Sequence, residues 1–174
     1  DEHNEPHAQG PDHKTMGASL MWQAKDMGVP TPFNPPGFAR VYATCDDLPH
    51  RHHLSLEHGH WWVESGGEGN VMKDAEAVRD ELLACMMGVW DHVKNRCPQV
   101  NATNWALTWF GFVPGKRESR RLLGDYILTE NDLVNRTPFT DAVCHGGWSI
   151  DTHPPGGINT SEPPASMCEL KDIY

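Results

Sequence analysis

The sequence predicts an α+β protein that combines a small, mostly antiparallel sheet with one long amphipathic helix at about residues 74–95 and many loops. Three observations support this class: one run of apolar residues at helical spacing, several short stretches rich in aromatic and β-branched residues, and 16 Gly plus 14 Pro among 174 residues. One helix with several hairpin-like strands is typical of α+β folds. The length fits one domain, since domains commonly have roughly 100–200 residues.

The long helix is the clearest element. From Asp74 to Asn95, apolar residues recur every three or four positions and form one stripe on a helix of about six turns; they are Val78, Leu82, Met86, Val89, Trp90 and Val93. Asp74 suits the N-cap position, and Pro98 prevents the helix from continuing. A shorter helix is predicted over Lys14–Asp26, where Met16, Leu20, Met21 and Ala24 have similar spacing.

The remaining elements are short. Strands are predicted over 60–65, 105–113, 122–128 and 141–145. Pro114-Gly115 fits a type II turn that would pair the third of these with the second. Thr129-Glu130-Asn131-Asp132 resembles a capping box that opens a short helix. Residues 152–166 are rich in Pro and Gly and are expected to form a loop.

Charge and composition exclude several functions. With 14 Lys plus Arg against 24 Asp plus Glu, the net charge is −10, which argues against sequence-independent nucleic-acid binding and against docking on anionic lipid. No apolar run has the ~18 residues of a membrane span, and no signal peptide is predicted. The five cysteines show neither CxxC nor zinc-finger spacing, so the sequence predicts free thiols and indicates neither a disulfide framework nor a structural zinc site.

Residues 50–62 form the first candidate site, because they contain five histidines and two tryptophans. His58 and His60 would share one face of a strand, and imidazole serves as a general base or a metal ligand. One of Trp61 and Trp62 would face the core while the other lines a binding pocket. The alternative is a polar loop with solvated histidines.

A cationic cluster at residues 116–121 is the second candidate. Arg117, Arg120 and Arg121 carry planar guanidinium groups that match carboxylate or phosphate. The alternative is ion pairing with acids of the same chain, such as Glu118, Asp125 or Asp151.

The third candidate is the segment 146–157. Its paired glycines would let the backbone approach a flat ligand; they are Gly146, Gly147, Gly156 and Gly157. Asp151 and His153 lie two residues apart and could act as an oriented acid–base pair. The alternative is a turn with a surface Asp and His. There is no GxGxxG, GxxxxGK[ST] or GxSxG motif.

Three stretches taken together resemble one family. The first is Leu48-Pro49-His50-Arg51 through Glu57-His58-Gly59-His60-Trp61-Trp62. The second runs from Trp105 through Gly111-Phe112-Val113-Pro114-Gly115 to Arg121 and then includes Gly124-Asp125-Tyr126. The third is Gly146-Gly147-Trp148 through Asp151 and His153-Pro154-Pro155-Gly156-Gly157. Together with 74–90, they look like the central, substrate-side region of bacterial FAD-dependent oxidoreductases of the glutathione-reductase-like flavoprotein superfamily.

The resemblance implies a domain organisation. Residues 1–13 would be a flexible arm, 14–157 the substrate-side domain, and 158–174 a loop or tail that leads to a further C-terminal segment. In that family the FAD-binding halves flank this region, and the flavin pyrophosphate sits on a helix N-terminus after the glycine-rich fingerprint. FAD is therefore expected in the full-length parent, whereas this chain alone is expected to bind it poorly and to be inactive.

The resemblance also implies roles. His153, Asp151 and His58 would be catalytic and handle the substrate proton, while hydride passes from a small organic substrate to the flavin. The substrate-binding residues would be His60, Trp62, Arg117, Arg120 and Arg121. The isoalloxazine would contact Gly146, Gly147, Trp148, Gly156 and Gly157. The partners would be the small-molecule substrate and the FAD-binding portions of the same parent protein.

A second function remains open at this point. The His- and Trp-rich segment 50–62 could instead belong to a non-catalytic module that binds a metal or a carbohydrate, since tryptophan faces can stack on sugar rings.

Overall fold

The computed structural model describes residues 15–49, 56, 60–67, 69–117, 124–146, 150–161 and 165–168. Its strands are β1 (Ala18–Asp26), β2 (His60–Ser65), β3 (Trp105–Phe110), β4 (Ile150–Thr152) and β5 (Ala165–Cys168). Its helices are α1 (Ala75–Asp91), which continues into a π-helical turn (His92–Arg96), and α2 (Glu130–Asn135), with 3₁₀ turns at Cys45–Asp47 and Gly157–Asn159. This confirms the predicted α+β class.

The main sheet has three antiparallel strands in the order β2-β1-β3. In the pairing with β2, Leu20 lies opposite Val63 and Trp22 opposite Trp61. On the other side of β1, Trp22 lies opposite Phe110. A second, two-stranded sheet pairs β4 with β5.

The predicted helix over Lys14–Asp26 is wrong, because Ala18–Asp26 form the central strand β1. Ala18, Leu20, Trp22 and Ala24 are buried while the residues between them are more exposed, which is the period of two expected for a strand. Met16, Leu20, Met21 and Ala24 happened to mimic helical spacing. Pairing with strands on both sides overrides that weak local preference.

Helix α1 packs its apolar stripe on the inner face of the sheet, as its periodicity predicts. Leu82, Met86 and Trp90 are fully buried. The Trp90 ring lies edge-on to Trp22 of β1, with 5.5 Å between ring centroids, and edge-on to Phe33 at 6.4 Å. With the π-helical turn the helical segment reaches Arg96, two residues before Pro98. Asp74 occupies the N-cap position without a side-chain capping bond, because its carboxylate accepts the Asn70 N–H at 2.9 Å.

Two further local predictions are confirmed. Strand β2 has the predicted bounds, and β3 begins at Trp105 as predicted but ends at Phe110. The capping box is present at the start of α2, where the Asp132 carboxylate accepts hydrogen bonds from the backbone N–H and the hydroxyl of Thr129, both at 2.9 Å. These bonds hold the pKa of Asp132 below its ordinary value.

The segments after β3 differ from prediction. Gly115 does not turn the chain back, because it exchanges two backbone hydrogen bonds with Ser19 and so continues along β1. Residues 124–128 and 141–145 contain no strand, whereas the predicted loop 152–166 contains a 3₁₀ turn and the start of β5. Leu122 and Leu123, at the start of one predicted strand, lie outside the described residues. Pairing partners far along the chain decide these strands, and the local sequence does not reveal them.

Two further predictions concern the state of the cysteines and the presence of membrane-spanning segments. Cys45, Cys85, Cys97 and Cys144 are free thiols, and burial raises the pKa of Cys85 to about 12. Within the described ranges, no helix combines the length and the apolar character needed to cross a bilayer.

Replacing Trp90 by alanine should destabilise the protein by about 3–5 kcal/mol, because it leaves a cavity between α1 and the sheet. The matched control is Trp109→Ala, at a side chain that is 52% exposed, which should cost far less, since surface changes usually stay near ±0.5 kcal/mol. Urea denaturation of both variants measures the difference. Equal losses would contradict the assignment of Trp90 to the core.

Candidate functional site

The candidate site lies on the outer face of the three-stranded sheet, which is the face turned away from α1. In β2, Val63 is buried in the core and Trp61 stacks on Trp22 with ring centroids 4.9 Å apart. Because side chains alternate along a strand, Trp62 and Glu64 point to the outer face. In the adjacent strand, Met21 lies opposite Trp62.

Glu64 is a buried acid on this outer face, only 8% exposed. Its Oε2 accepts a hydrogen bond from Arg117 Nη1 at 3.1 Å and is 2.9 Å from His153 Nδ1. A buried carboxylate is costly unless it is paired and hydrogen-bonded, so these two contacts compensate the loss of solvation. The other oxygen, Oε1, is buried and has no hydrogen-bond partner among the described residues. The carboxylate therefore keeps capacity for one more donor.

The segment after β4 holds His153 over Glu64. Ile158 is buried in the main core, which anchors the 3₁₀ turn that follows His153. The Gly156 N–H donates to the Gly66 carbonyl at 2.8 Å, and the Asn159 side-chain amide donates to Ser65 Oγ at 3.3 Å. The imidazole is thus fixed on a segment tied to the end of β2.

Gly157 lies against the backbone of β2. Its φ is +54°, and a Cβ built on it would sit 2.2 Å from the Glu64 carbonyl oxygen and 2.8 Å from the Ser65 nitrogen. Only glycine fits there, for reasons of both space and conformation. In the described structure, the close backbone approach that Gly157 permits is therefore an approach to β2.

The contact with Glu64 sets the chemistry of His153. A carboxylate accepts the Nδ1–H, which leaves the basic lone pair on Nε2. In an imidazole held in this way, Nε2 is the ring nitrogen that can accept a proton. The positive charge of Arg117 compensates the negative charge of the Glu64 carboxylate. The side chain of His153 is 19% exposed, so the ring borders solvent.

An exposed apolar surface lies on the same outer face. Trp62 is two residues from Glu64 in β2, which corresponds to roughly 6.6–6.8 Å along a strand. Trp62 is 58% exposed, and Met21 and Trp109 are about half exposed. Trp109 lies opposite Gln23, on the same face of β1 as Met21. Large apolar side chains grouped at the surface mark a binding surface more often than isolated ones do.

The structure brings some of the residues predicted from the sequence together. His153, Arg117, Gly156 and Gly157 surround the end of β2, and Trp62 lies beside them. Gly146 is in a half-exposed coil, Asp151 lies in β4 with its backbone opposite Ser166, and the backbone of His60 lies opposite Gln23. The predicted site residues that lie outside the described residues are His58, Arg120, Arg121, Gly147 and Trp148.

Sequence reasoning missed the part played by Glu64. It did not single out Glu64, and it paired Arg117 with other acids, such as Glu118, Asp125 or Asp151. The available signal was the strand period, which puts Trp62 and Glu64 on one face of β2. The partners could not be identified this way, because Arg117 and His153 follow Glu64 by 53 and 89 positions.

The described residues do not match a site for the pyrophosphate of FAD. All strand pairs among them are antiparallel, whereas that group binds where a parallel strand leads into a helix N-terminus. The first turn of α1 carries Glu76 and follows Asp74, which disfavours an anion. A hollow beside Gly66, Gly67 and Lys116 has a cavity volume of only about 10 Å³, which is close to the ~10–15 Å³ that a single water molecule needs and far too small for a flavin.

Comparison with known families gives one match. Residues 7–171 match the model of the family described as FAD dependent oxidoreductase. No curated protein and no solved structure matches the chain.

Gly157→Ala should destabilise the protein. The positive φ alone costs an alanine about 1–3 kcal/mol, and the overlap of the added Cβ with β2 adds to that cost. Gly37→Ala is the matched control, since a Cβ at that exposed glycine meets nothing within 4 Å. It should change the free energy of unfolding by no more than about 0.5 kcal/mol. Urea denaturation distinguishes them, and a harmless Gly157→Ala would refute the described contact with β2.

Proposed function

Since the chain belongs to the FAD dependent oxidoreductase family, we propose that it forms the substrate side of a pocket that faces the flavin in such an enzyme. The observation that carries this proposal is the placement of His153 on the Glu64 carboxylate, next to Trp62 on one sheet face. An oriented base beside an exposed apolar surface suits a small organic substrate. The family match does not favour a metal- or carbohydrate-binding module at residues 50–62.

His153 is proposed as the proton acceptor. Oxidation of an alcohol or amine carbon releases a proton from the attached oxygen or nitrogen, and His153 Nε2 would take that proton. Glu64 is proposed as the positioning residue, because it holds Nδ1 at 2.9 Å. The flavin supplies the oxidising chemistry in enzymes of this type, and the protein supplies placement and electrostatics.

Trp62 is proposed to contact the substrate, because its exposed ring lies on the face of β2 that carries Glu64. Arg117 is proposed to hold the Glu64 carboxylate in place through the contact at 3.1 Å. Its side chain is 32% exposed, which also leaves surface for a substrate anion. Asp151, His58, His60, Arg120 and Arg121 remain candidates for the same pocket, and Gly146, Gly147 and Trp148 for the flavin side.

FAD itself is proposed to be held through its pyrophosphate by residues other than the described ones. Antiparallel pairing and the acidic first turn of α1 support this inference. The 174-residue chain alone should therefore bind FAD with a Kd above about 100 µM, which corresponds to a binding free energy weaker than about 5.5 kcal/mol. Fluorescence titration with FAD measures this. Tight one-to-one binding would contradict the inference.

The proton role is tested by His153→Ala in the FAD-loaded protein that contains this chain. Anaerobic reduction of the flavin is first screened with simple alcohols, amines and hydroxy acids, and the fastest compound serves as the probe. The variant should reduce flavin about 10²–10⁴-fold more slowly, the usual contribution of a general base, with unchanged affinity for FAD. Glu64→Gln should lower the reduction rate less, because the base remains but its orientation is weakened.

Arg79→Ala is the control for this experiment. Arg79 pairs with Asp80 on the surface of α1 and takes no part in the proposed pocket, so its variant should reduce flavin at the wild-type rate. If His153→Ala also keeps the wild-type rate, the assignment of the proton acceptor is refuted while membership of the family stands.

A further inference from the structure

A second cluster consists of Cys45, His92 and Cys97. It lies at the C-terminal end of α1, where the π-helical turn follows. Cys45 Sγ is 3.5 Å from His92 Nε2 and 3.7 Å from Cys97 Sγ, and all three potential ligand atoms lie within 4.8 Å of one another. Among the described residues, this is the one group of at least three Cys, His, Asp or Glu side chains whose ligand atoms converge closely enough to hold a metal ion. The function proposed above does not use it.

The first ligand is held by an ordered turn. Cys45 begins the 3₁₀ turn Cys45–Asp47, which has a capping box between Thr44 and Asp47. The Thr44 N–H donates to Asp47 Oδ2 at 2.8 Å. Leu48, which follows the turn, is buried in the core, so the turn has a fixed position against α1.

The other two ligands are held by the π-helical turn that ends α1. The wider turn brings Cys97 back toward His92, and the Cys97 N–H donates to the His92 carbonyl at 2.7 Å. The buried Asp91 carboxylate accepts hydrogen bonds from Asn95 at 2.7 Å and from Arg96 at 2.6 Å, which stabilises the turn. Interruptions of this kind in α-helices are frequent at functional sites.

The tautomer of His92 suits metal binding. Its Nδ1 is 2.9 Å from the Tyr42 backbone carbonyl, which can only accept, so Nδ1 carries the proton and the lone pair is on Nε2. Nε2 is the atom that faces Cys45. A histidine ligand whose other ring nitrogen donates to a carbonyl is the usual arrangement at metal sites.

The two distances from Cys45 Sγ agree with the edges of a zinc tetrahedron, and the third pair of ligand atoms lies within 4.8 Å. Zn–S bonds of about 2.3 Å and Zn–N bonds of about 2.0–2.1 Å, at tetrahedral angles, give edges of about 3.8 Å between two sulfurs and about 3.6 Å between sulfur and nitrogen. The structure has 3.7 and 3.5 Å. A disulfide would require the two sulfurs to approach to about 2.05 Å.

We propose that Cys45, His92 and Cys97 bind one Zn²⁺ ion, with water as the fourth ligand. Cys45 is partly exposed, which gives the ion and the water access from solvent. Two thiols lose their protons when Zn²⁺ binds, so one Zn²⁺ replaces two H⁺ and the site with two thiolates and neutral imidazole has no net charge. The ion would fasten the segment around Cys45 to the end of α1.

The sequence predicted no metal site, because the spacing of these residues matches no zinc motif. Cys45 precedes His92 by 47 positions, and only the packing of residues 40–48 on α1 brings them together. Gly88 permits that packing, since a Cβ there would lie 2.2 Å from the Arg40 carbonyl oxygen. The proposed ligands are also different residues from the histidines of residues 50–60 that the sequence suggested as metal ligands.

The first test is the metal stoichiometry of the full 174-residue chain, reduced, stripped with a chelator and titrated with Zn²⁺ or Co²⁺ alone. We expect one Zn²⁺ per chain at this site, and with Co²⁺ a thiolate-to-cobalt charge-transfer band together with the visible bands of tetrahedral cobalt. The other histidines could bind either metal, but they could not produce the thiolate band. Absence of that band, or binding of less than one Zn²⁺ per chain at saturation, would overturn the proposal.

The second test needs no substitution. Iodoacetamide labelling followed by mass spectrometry measures the reactivity of each thiol with and without Zn²⁺. Zinc should slow the labelling of Cys45 and Cys97 at least tenfold and leave the exposed Cys144 unchanged. Equal labelling with and without zinc, or a Cys45–Cys97 disulfide in protein kept under reducing conditions, would overturn the proposal.

Variants complete the test. Cys45→Ser and Cys97→Ser should each weaken zinc binding by more than the roughly 10–100-fold that loss of an outer hydrogen-bond partner costs, whereas Cys144→Ser should bind as the wild type does. Circular dichroism checks that each variant folds, and if one does not, the labelling of the wild type decides. Wild-type affinity in a folded Cys45→Ser variant would refute the site.

Discussion

The carboxylate of Glu64 is buried on the outer face of the sheet, and the arrangement of the candidate site depends on compensating its charge. Strand β2 carries it, while its partners Arg117 and His153 come from 53 and 89 positions later in the chain. An unpaired buried charge costs several kcal/mol, so folding favours the conformation in which all three segments meet. The same contact that stabilises the carboxylate orients the imidazole, and stability and proposed function therefore share one interaction.

Sequence could predict the elements whose signal is local. The stripe from Val78 to Val93 is longer than any competing pattern, and the capping box at Thr129 combines two specific residues at fixed spacing, so α1 and the start of α2 were predictable. Strand β1 was not, because its alternation is overlaid by Met16 and Met21, and its state is decided by pairing with β2 and β3. Pairing also decides the segment 141–145, which was predicted as a strand from its local sequence but forms none in the structure.

The sites show the same division. His153, Arg117 and Trp62 could be singled out from residue type and local pattern, and the structure places them near one end of β2. The role of Glu64 and the meeting of Cys45, His92 and Cys97 could not be predicted, because each depends on side chains separated by more than 45 positions. Spacing rules detect sites formed within one turn or loop. Sites formed between the end of a helix and a segment far along the chain can be recognised only once the packing of these elements is known.

The most direct test of the account is the tautomer of His153, measured by ¹⁵N NMR on the 174-residue chain at a pH where the ring is neutral. The contact with Glu64 predicts that Nδ1 carries the proton and that Nε2 has the lone pair, and that Glu64→Gln shifts this balance. A wild-type ring protonated on Nε2, or a tautomer that does not respond to Glu64→Gln, would contradict the claim that the buried carboxylate prepares His153 to accept a proton.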